Sequence, residues 1–213
     1  MAGQYFIYIP FNDTKFKKEA DIWVEQISLY LKQEHMNNLK VKEVNEDVEK
    51  NLKSDPRARK IPIVCMHGDS SSLSNIQHVS YRDTVYVMAH CSEDTDKISD
   101  NHKNTLDAAG LIERMENDGL PSKDTYRIKL WACEGARGSD PFALKLYEAI
   151  KESKSFPPNI ELTAYKISLN MFNGEDKHKR GFVDWITRWG IPFSADITDR
   201  PSKYAVHYPP RPK

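Results

Sequence analysis

Two residues whose side chains could act together on a substrate stand at the ends of apolar segments. The segment "TVYVMA" (84–89) is followed directly by His90, and the segment "YRIKLWAC" (126–133) ends on Cys133. A cysteine becomes a strong nucleophile as the thiolate, and a nearby imidazole is the commonest means of forming or keeping that thiolate. His90 and Cys133 are therefore our candidate catalytic dyad.

The elements between these residues could bring them together. Both apolar segments are predicted strands, and "TLDAAGLIERMEN" (105–117) between them has apolar residues at helical spacing, despite Gly110. A strand–helix–strand crossover usually places its two strands parallel and often adjacent. The carboxyl ends of such strands would lie roughly 5 to 10 Å apart, which is close enough for a dyad.

The other strand-end thiols and histidines have competing interpretations. Cys91 follows His90 in an extended chain, so its side chain should point to the opposite face of the sheet. Cys65 lies inside the predicted strand "IPIVCM" (61–66), where it should pack into the core. His67 opens "HGDSSS" (67–72), which could be a serine-hydrolase site but lacks G-x-S-x-G, so a serine-rich turn is the favoured interpretation.

The residues after Cys133 favour an anion-binding turn. They read "EGARGSD" and lead into "GSDPFALKLYEAI", for which we predict Ser139 as the helix N-cap and Pro141 in the first turn. A glycine-containing turn before a helix leaves backbone N–H groups free to hold an oxyanion. The alternative for the dyad is that Cys133 is a buried small hydrophobe and His90 a satisfied polar group.

The remaining patterns predict strands that alternate with helices. "QYFIYIPF" (4–11) and "IELTAYKI" (160–167) are predicted strands, and "LKVKEV" (39–44) alternates as a half-exposed strand does. Residues 45–60 should form a short helix and a loop, and an amphipathic helix is predicted from the spacing of Phe16, Ala20, Trp23, Ile27 and Leu31. The pattern favours an α/β fold, an α-β-α sandwich with a mainly parallel sheet.

Composition limits the classes of function. The 213 residues suit one domain, 1–213, with a Pro-rich C-terminal tail from about residue 200, whose end "YPPRPK" (208–213) we expect to be frayed. Lys plus Arg and Asp plus Glu number 31 each, which gives no basic excess for nucleic acid. We find no apolar stretch that could span a bilayer and no secretory signal. Three cysteines without metal spacing favour reduced thiols and a cytoplasmic site of synthesis.

Several weaker features could bind ligands. The acidic residues of the loop after His90 could hold a cation, but their spacing fits no EF-hand, so a solvated loop is the favoured interpretation; they are Glu93, Asp94, Asp96 and Asp100. The basic cluster "KHKR" is most simply a solvated turn, but Lys177, Lys179 and Arg180 could also hold a phosphate-bearing ligand. Trp185 and Trp189 are spaced as on one helix face, which we expect to pack on the sheet.

Taken in order, "TVYVMAH", "TLDAAGLIERM" and "YRIKLWAC" resemble the caspase-like superfamily of cysteine peptidases. This superfamily includes caspases, gingipains, clostripain and the self-cleaving cysteine protease domain of RTX toxins. In it, an apolar strand ends on the catalytic histidine, a helix follows, and a second strand ends on the nucleophilic cysteine. The toxin domain is most similar in layout, with "IPIVCMHGDSSSL" before the histidine strand and a helix and strand after the cysteine. The resemblance covers roughly residues 5 to 180.

The resemblance implies a cysteine endopeptidase, in the manner of a bacterial effector or toxin protease. Cys133 would attack the scissile carbonyl, His90 would protonate the leaving amine, and the backbone N–H groups of Cys91 and Cys133 would hold the oxyanion. The family has His-Gly where this chain has His90-Cys91, which puts the geometry of the oxyanion hole in question. An inactive protein-binding module and another thiol-dependent hydrolase or acyltransferase are the alternatives.

The resemblance also bears on partners, cofactors and location. It implies a protein or peptide substrate and neither a metal nor an organic cofactor. Toxin-type members are activated by inositol hexakisphosphate on a basic surface, for which only "KHKR" and scattered lysines are candidates here. Delivery to a host cell, or secretion without a signal peptide, would follow if the chain is such an effector.

Overall fold

The computed structural model describes residues 3–92, 95–120, 126–157, 159–166 and 205–209. The strands are β1 (Tyr5–Ile9), β2 (Ile63–Met66), β3 (Thr84–Met88), β4 (Lys97–Ser99), β5 (Thr105–Asp107), β6 (Arg127–Trp131), β7 (Glu161–Tyr165) and β8 (Ala205–Tyr208). The α-helices are α1 (Thr14–Leu39), α2 (Glu46–Ser54), α3 (Ser70–Leu73), α4 (Ala108–Asn117) and α5 (Phe142–Glu152). Short 3₁₀ helices occupy Pro56–Lys60 and Ile76–His78.

Six strands form the central sheet, in the order β2-β1-β3-β6-β7-β8. The first five strands of that order run parallel, and β8 pairs antiparallel with β7. Parallel strands need a crossover between them, and α4 lies on the connection from β3 to β6. The prediction of an α/β fold with a mainly parallel sheet is confirmed.

Two apolar layers cover the two faces of the sheet. On one face, Tyr86 and Trp131 pack against the buried side of α1, and the rings of Trp131 and Trp23 stack 5.5 Å apart. On the other face, Leu130 and its neighbours pack against buried residues of α4 and α5, which include Leu111 and Leu146. Because side chains alternate along β3 and β6, each strand contributes buried residues to both layers, which is the arrangement of a three-layer sandwich.

Helix α1 carries the predicted amphipathic pattern. All five of its predicted core residues are buried, and Asp13 caps its amino end by accepting hydrogen bonds from the N–H groups of Lys15 and Phe16. The helix continues to Leu39 and ends where Lys40 takes the left-handed conformation, with φ 56°. The prediction of a strand over 39–44 is therefore wrong: its first residue belongs to α1, and the remaining five lie outside any strand.

The connection between β3 and α4 contains more structure than expected. Strands β4 and β5 pair antiparallel as a small hairpin within the stretch that we predicted as a polar loop and the start of a helix. The helix begins only at Ala108, because Asp107 is its N-cap and accepts a hydrogen bond from the N–H of Gly110 at 2.7 Å. This hairpin folds back on the end of β3 through a pairing of His90 with Ser99.

The end of the chain also contributes to the sheet. β8 pairs with β7 from Tyr165↔Ala205 to Leu162↔Tyr208, so Tyr208, the first residue of the segment 208–213 that we expected to be frayed, is paired in the sheet. The Thr163 hydroxyl and His207 Nδ1 lie within hydrogen-bonding distance, at 3.0 Å, across this pair. The segment with Trp185 and Trp189 lies outside the described residues.

Candidate functional site

The sheet brings the ends of β3 and β6 together. The two strands are adjacent and parallel, and their register runs from Thr84↔Arg127 to Met88↔Trp131. The N–H of Ala89 extends the ladder by donating to the carbonyl of Trp131 at 3.3 Å. Two residues beyond the last pair of this register lie His90, whose backbone pairs with Ser99, and Cys133, in the turn after β6. The prediction that the two strands are neighbours is confirmed.

His90 is held on the α1 side of the sheet. Its ring is exposed to solvent on one side and packs on the ring of Phe16 on the other, with centroids 4.7 Å apart. Its backbone N–H donates to the carbonyl of Ser99 at 2.8 Å, and the N–H of Ser99 donates back at 2.9 Å. Its Nε2 lies 3.0 Å from Oδ1 of Asn101. Backbone and ring are thus both fixed by neighbours.

Charged groups of α1 lie around His90. Burial raises the pKa of Glu19, whereas the positive charges of Lys15 and His90 oppose that rise, and the charge of Asp13 adds to it. The Glu19 carboxylate therefore lies within electrostatic range of the imidazole.

Cys133 lies in a turn that begins directly after β6. The thiol is partly exposed, and the next residue, Glu134, has the left-handed φ of 55°. This conformation is uncommon for a residue with a side chain, and such residues occur often at active sites. The Glu134 carbonyl then accepts a hydrogen bond from the N–H of Arg137 at 2.9 Å, which closes the turn.

Cys91 occupies the other side of the strand from His90. It packs partly against the core layer of α4 and α5, as the alternation predicts. Burial raises the pKa of the Cys91 thiol, hydrogen bonds with Thr95 and Ser92 oppose that rise, and the charges of Cys133 and Glu134 add to it. The two thiols are therefore close enough to interact electrostatically. A raised pKa leaves Cys91 mainly as the thiol at neutral pH, so it is poorly suited to be the nucleophile.

The backbone at Cys91 does not need a glycine. In the described parts of the chain, the non-glycine residues with a left-handed φ are Lys40, Arg82, Lys103 and Glu134. Cys91 thus has a conformation that any residue can adopt, and it keeps its backbone N–H. A cysteine at this position, in place of the glycine expected from the resemblance, therefore introduces no backbone strain.

Helix α5 begins two residues later than the N-cap prediction requires. Pro141, not Ser139, is the N-cap of α5, and it provides no side-chain hydrogen bond. The first turn is instead tied to the cysteine turn, because the N–H of Ala143 donates to the carbonyl of Gly135 at 2.9 Å. The helix therefore fixes the position of the turn that carries Cys133.

The other strand-end histidine, His67, lies away from Cys133. It follows β2, which is separated from β6 by β1 and β3. Its Nδ1 lies 3.0 Å from the Asp118 carboxylate, which also accepts a hydrogen bond from the Tyr8 hydroxyl at 2.7 Å. The sheet order thus favours His90 over His67 as the partner of Cys133.

The serine-rich turn after His67 consists of capping contacts. Asp69 caps the four-residue α3 and accepts hydrogen bonds from the N–H groups of Ser71 and Ser72. The Ser72 hydroxyl donates to the Asp69 carbonyl at 3.0 Å and accepts from the N–H of Met66 at 3.1 Å. These contacts explain the sequence "HGDSSS" as a local structural motif.

The acidic loop divides into different environments. Asp100 is 4% exposed, and its carboxylate accepts hydrogen bonds from His102 and Asn104, including a contact of 2.6 Å with the Asn104 amide. The expectation that Asp100 is solvated is wrong, because the carboxylate organises the loop that leads to β5. Asp96 is exposed. The other predicted ligand-binding residues lie outside the described parts of the chain: Glu93, Asp94, Lys177, Lys179 and Arg180.

Sequence reasoning missed the polar residues that hold His90. Asp13, completely buried, accepts hydrogen bonds from both the N–H and the side-chain amide of Asn101, each at 2.9 Å. The two residues are 88 positions apart, and neither belongs to a recognisable motif. The one available signal was Asp13 as a helix N-cap, which does not indicate a second role.

Comparison with known proteins adds no family to this description. No protein-family model matches the chain, and no curated protein matches it. Within the described residues, none of the helices has both the length and the apolar character required to cross a membrane.

Proposed function

We propose that this chain is a cysteine endopeptidase in which Cys133 is the nucleophile and His90 the proton donor. The observation that carries the proposal is the adjacency of β3 and β6, whose shared register ends at Met88↔Trp131, two residues before His90 and Cys133. The order of elements also agrees with the resemblance: histidine strand, helix α4, cysteine strand. In parallel sheets of this kind, ligands bind beyond the carboxyl ends of the strands.

The reaction would proceed through a covalent acyl-enzyme. The Cys133 thiolate attacks the carbonyl carbon of the scissile peptide bond, and the electron pair of the C=O bond moves to oxygen. Backbone N–H groups of Cys91 and Cys133 would stabilise this oxyanion. His90 gives a proton to the leaving nitrogen as the C–N bond breaks. Water then hydrolyses the thioester, which releases the acid product and restores the thiol.

The backbone at position 91 allows an active enzyme. Loss of the family's glycine would disable the site if the position required a left-handed φ, but Cys91 is outside that region. Its N–H remains, and its thiol, with a raised pKa, would not compete with Cys133. Position 91 is therefore compatible with an active enzyme, and an inactive binding module remains the alternative.

The proposal is tested by cleavage of a peptide library derived from a whole proteome. The full-length chain should generate new amino termini that share a residue preference, and Cys133→Ala should generate none. Cys65→Ala is the matched control, because Cys65 is a completely buried thiol inside β2. Cleavage that survives in Cys133→Ala would refute the assignment of the nucleophile. If neither the wild-type chain nor Cys65→Ala cleaves any peptide, the binding module becomes the preferred function.

A further inference from the structure

Three side chains form a continuous hydrogen-bonded series that ends on His90. The Asp13 carboxylate accepts from the Asn101 side-chain amide at 2.9 Å, and Asn101 Oδ1 lies 3.0 Å from Nε2 of His90. Asp13 also accepts from the N–H groups of Lys15 and Phe16 at the start of α1. The series therefore links the first turn of α1, the loop before β5 and the end of β3.

The two ends of the Asn101 amide can be told apart by their partners. A carboxylate can only accept hydrogen bonds at neutral pH, so the Asn101 NH₂ group must be the one that faces Asp13. The Lys15 ammonium can only donate, and it lies 3.0 Å from Oδ1 of Asn101. Both partners require the same orientation, in which the carbonyl oxygen faces Lys15 and His90.

This orientation determines which nitrogen of His90 carries the proton. The Asn101 carbonyl can only accept, so His90 Nε2 must donate to it, and in the neutral ring the proton is then absent from Nδ1. We infer that Asn101, held by Asp13, is a positioning residue that fixes His90 in the Nε2–H tautomer. Nδ1 is then the atom that exchanges a proton with the thiol or the leaving amine, a role that rests on the proposed function.

Further contacts restrict the ring to this orientation. Phe16 packs against the imidazole, with centroids 4.7 Å apart, and the pairing with Ser99 holds the backbone of His90. The charged groups around the ring are Lys15, Glu19 and Asp13, all at the amino end of α1. The ring of His90 is thus held by packing and by one directed hydrogen bond.

The tautomer can be measured without any assay of activity. The full-length chain is labelled with ¹⁵N-histidine, and long-range ¹H–¹⁵N correlation spectra are recorded at about pH 8.5, where an imidazole is ordinarily neutral. His90→Gln assigns the His90 signals among the seven histidines. Wild-type His90 should be the Nε2–H tautomer, and Asn101→Ala should give a mixture of both tautomers. A wild-type His90 with the proton on Nδ1 would overturn the inference.

Asn104→Ala is the matched control. Asn104 lies in the same loop and donates to buried Asp100 through both its N–H and its side-chain amide, at 2.8 and 2.6 Å. This variant should leave His90 in the Nε2–H tautomer. If both alanine variants change the tautomer equally, the integrity of the loop rather than the Asn101 contact is responsible.

A kinetic test follows where a cleavable peptide is known. Asn101→Ala should lower kcat on the order of 10- to 100-fold with little change in KM, because it disturbs the proton transfer and not the binding of substrate. An unchanged kcat in Asn101→Ala would refute the positioning role. If the chain cleaves no peptide, the proposed function fails while the tautomer measurement still decides the structural part of the inference.

Discussion

Replacement of Asp13 by alanine should destabilise the fold far more than the loss of an ordinary helix cap. The N–H groups of Lys15 and Phe16 donate to Oδ1 of Asp13, and the loss of this helix cap should cost about 1 kcal/mol. The two hydrogen bonds from Asn101 to Oδ2 are charge-assisted, and about 1.5 kcal/mol each is reasonable because Asn101 is half-buried. Asp13→Ala should therefore lower the free energy of unfolding by about 4 kcal/mol in total.

The assay is guanidinium chloride unfolding at pH 7, followed by tryptophan fluorescence. Asn45→Ala is the control, because the Asn45 side chain caps α2 through a single hydrogen bond from the N–H of Val48 at 3.0 Å. This control should lose about 1 kcal/mol, so the two variants should differ by about 3 kcal/mol. Equal losses would refute the reasoning, since they would mean that the bonds between Asp13 and Asn101 do not stabilise the fold.

Three further predictions concern the thiols and the response to acid. Cys91→Pro removes the backbone N–H of residue 91 and should lower kcat by about 10²- to 10³-fold in the peptide assay. Cys91→Ala keeps this N–H, so its kcat should stay within a few-fold of the wild-type value. Equal losses of kcat in the two variants would exclude the N–H from the oxyanion hole. Burial, together with the charge of Asp69, raises the pKa of the Cys65 thiol to about 12. Iodoacetamide at about pH 8 should therefore modify Cys133 in the folded chain and Cys65 only after urea is added. Rapid modification of Cys65 in the folded chain would contradict its burial. The Arg57 guanidinium holds the pKa of Asp55 well below its usual range. Asp55→Asn should therefore lower the free energy of unfolding most at neutral pH, and the difference from wild type should shrink as the pH falls below about 4. A difference in the free energy of unfolding that does not depend on pH would contradict this prediction.

The strands next to the site were predictable because they are buried on both faces. β3 consists entirely of buried residues, and β6 is buried over its second half, so each reads as an apolar segment. Helix α1 was predictable because one face of it alone is buried, which gives a spacing of three and four residues. The adjacency of β3 and β6 followed from the rule for crossover connections.

The elements that were missed lack such a pattern. Strand β8 lies at the edge of the sheet and all of its residues are partly exposed, so no apolar run identifies it. Residues 39–44 alternate in polarity as a strand does, but lie outside the six paired strands of the sheet. The support of His90 was unpredictable for a different reason: Asn101 and Asp13 meet only through the tertiary structure, and the sequence contains no periodic signal for such a contact.

The central claim is that Cys133 is a nucleophile that depends on His90. Treatment with a peptidyl acyloxymethyl ketone, followed by mass-spectrometric mapping, measures this directly. Rapid modification should occur at Cys133 alone and should be lost in His90→Ala, while His67→Ala should retain it, because His67 belongs to the distant β2 end of the sheet. Slow and equal modification of Cys65, Cys91 and Cys133, unaffected by His90→Ala, would contradict the account.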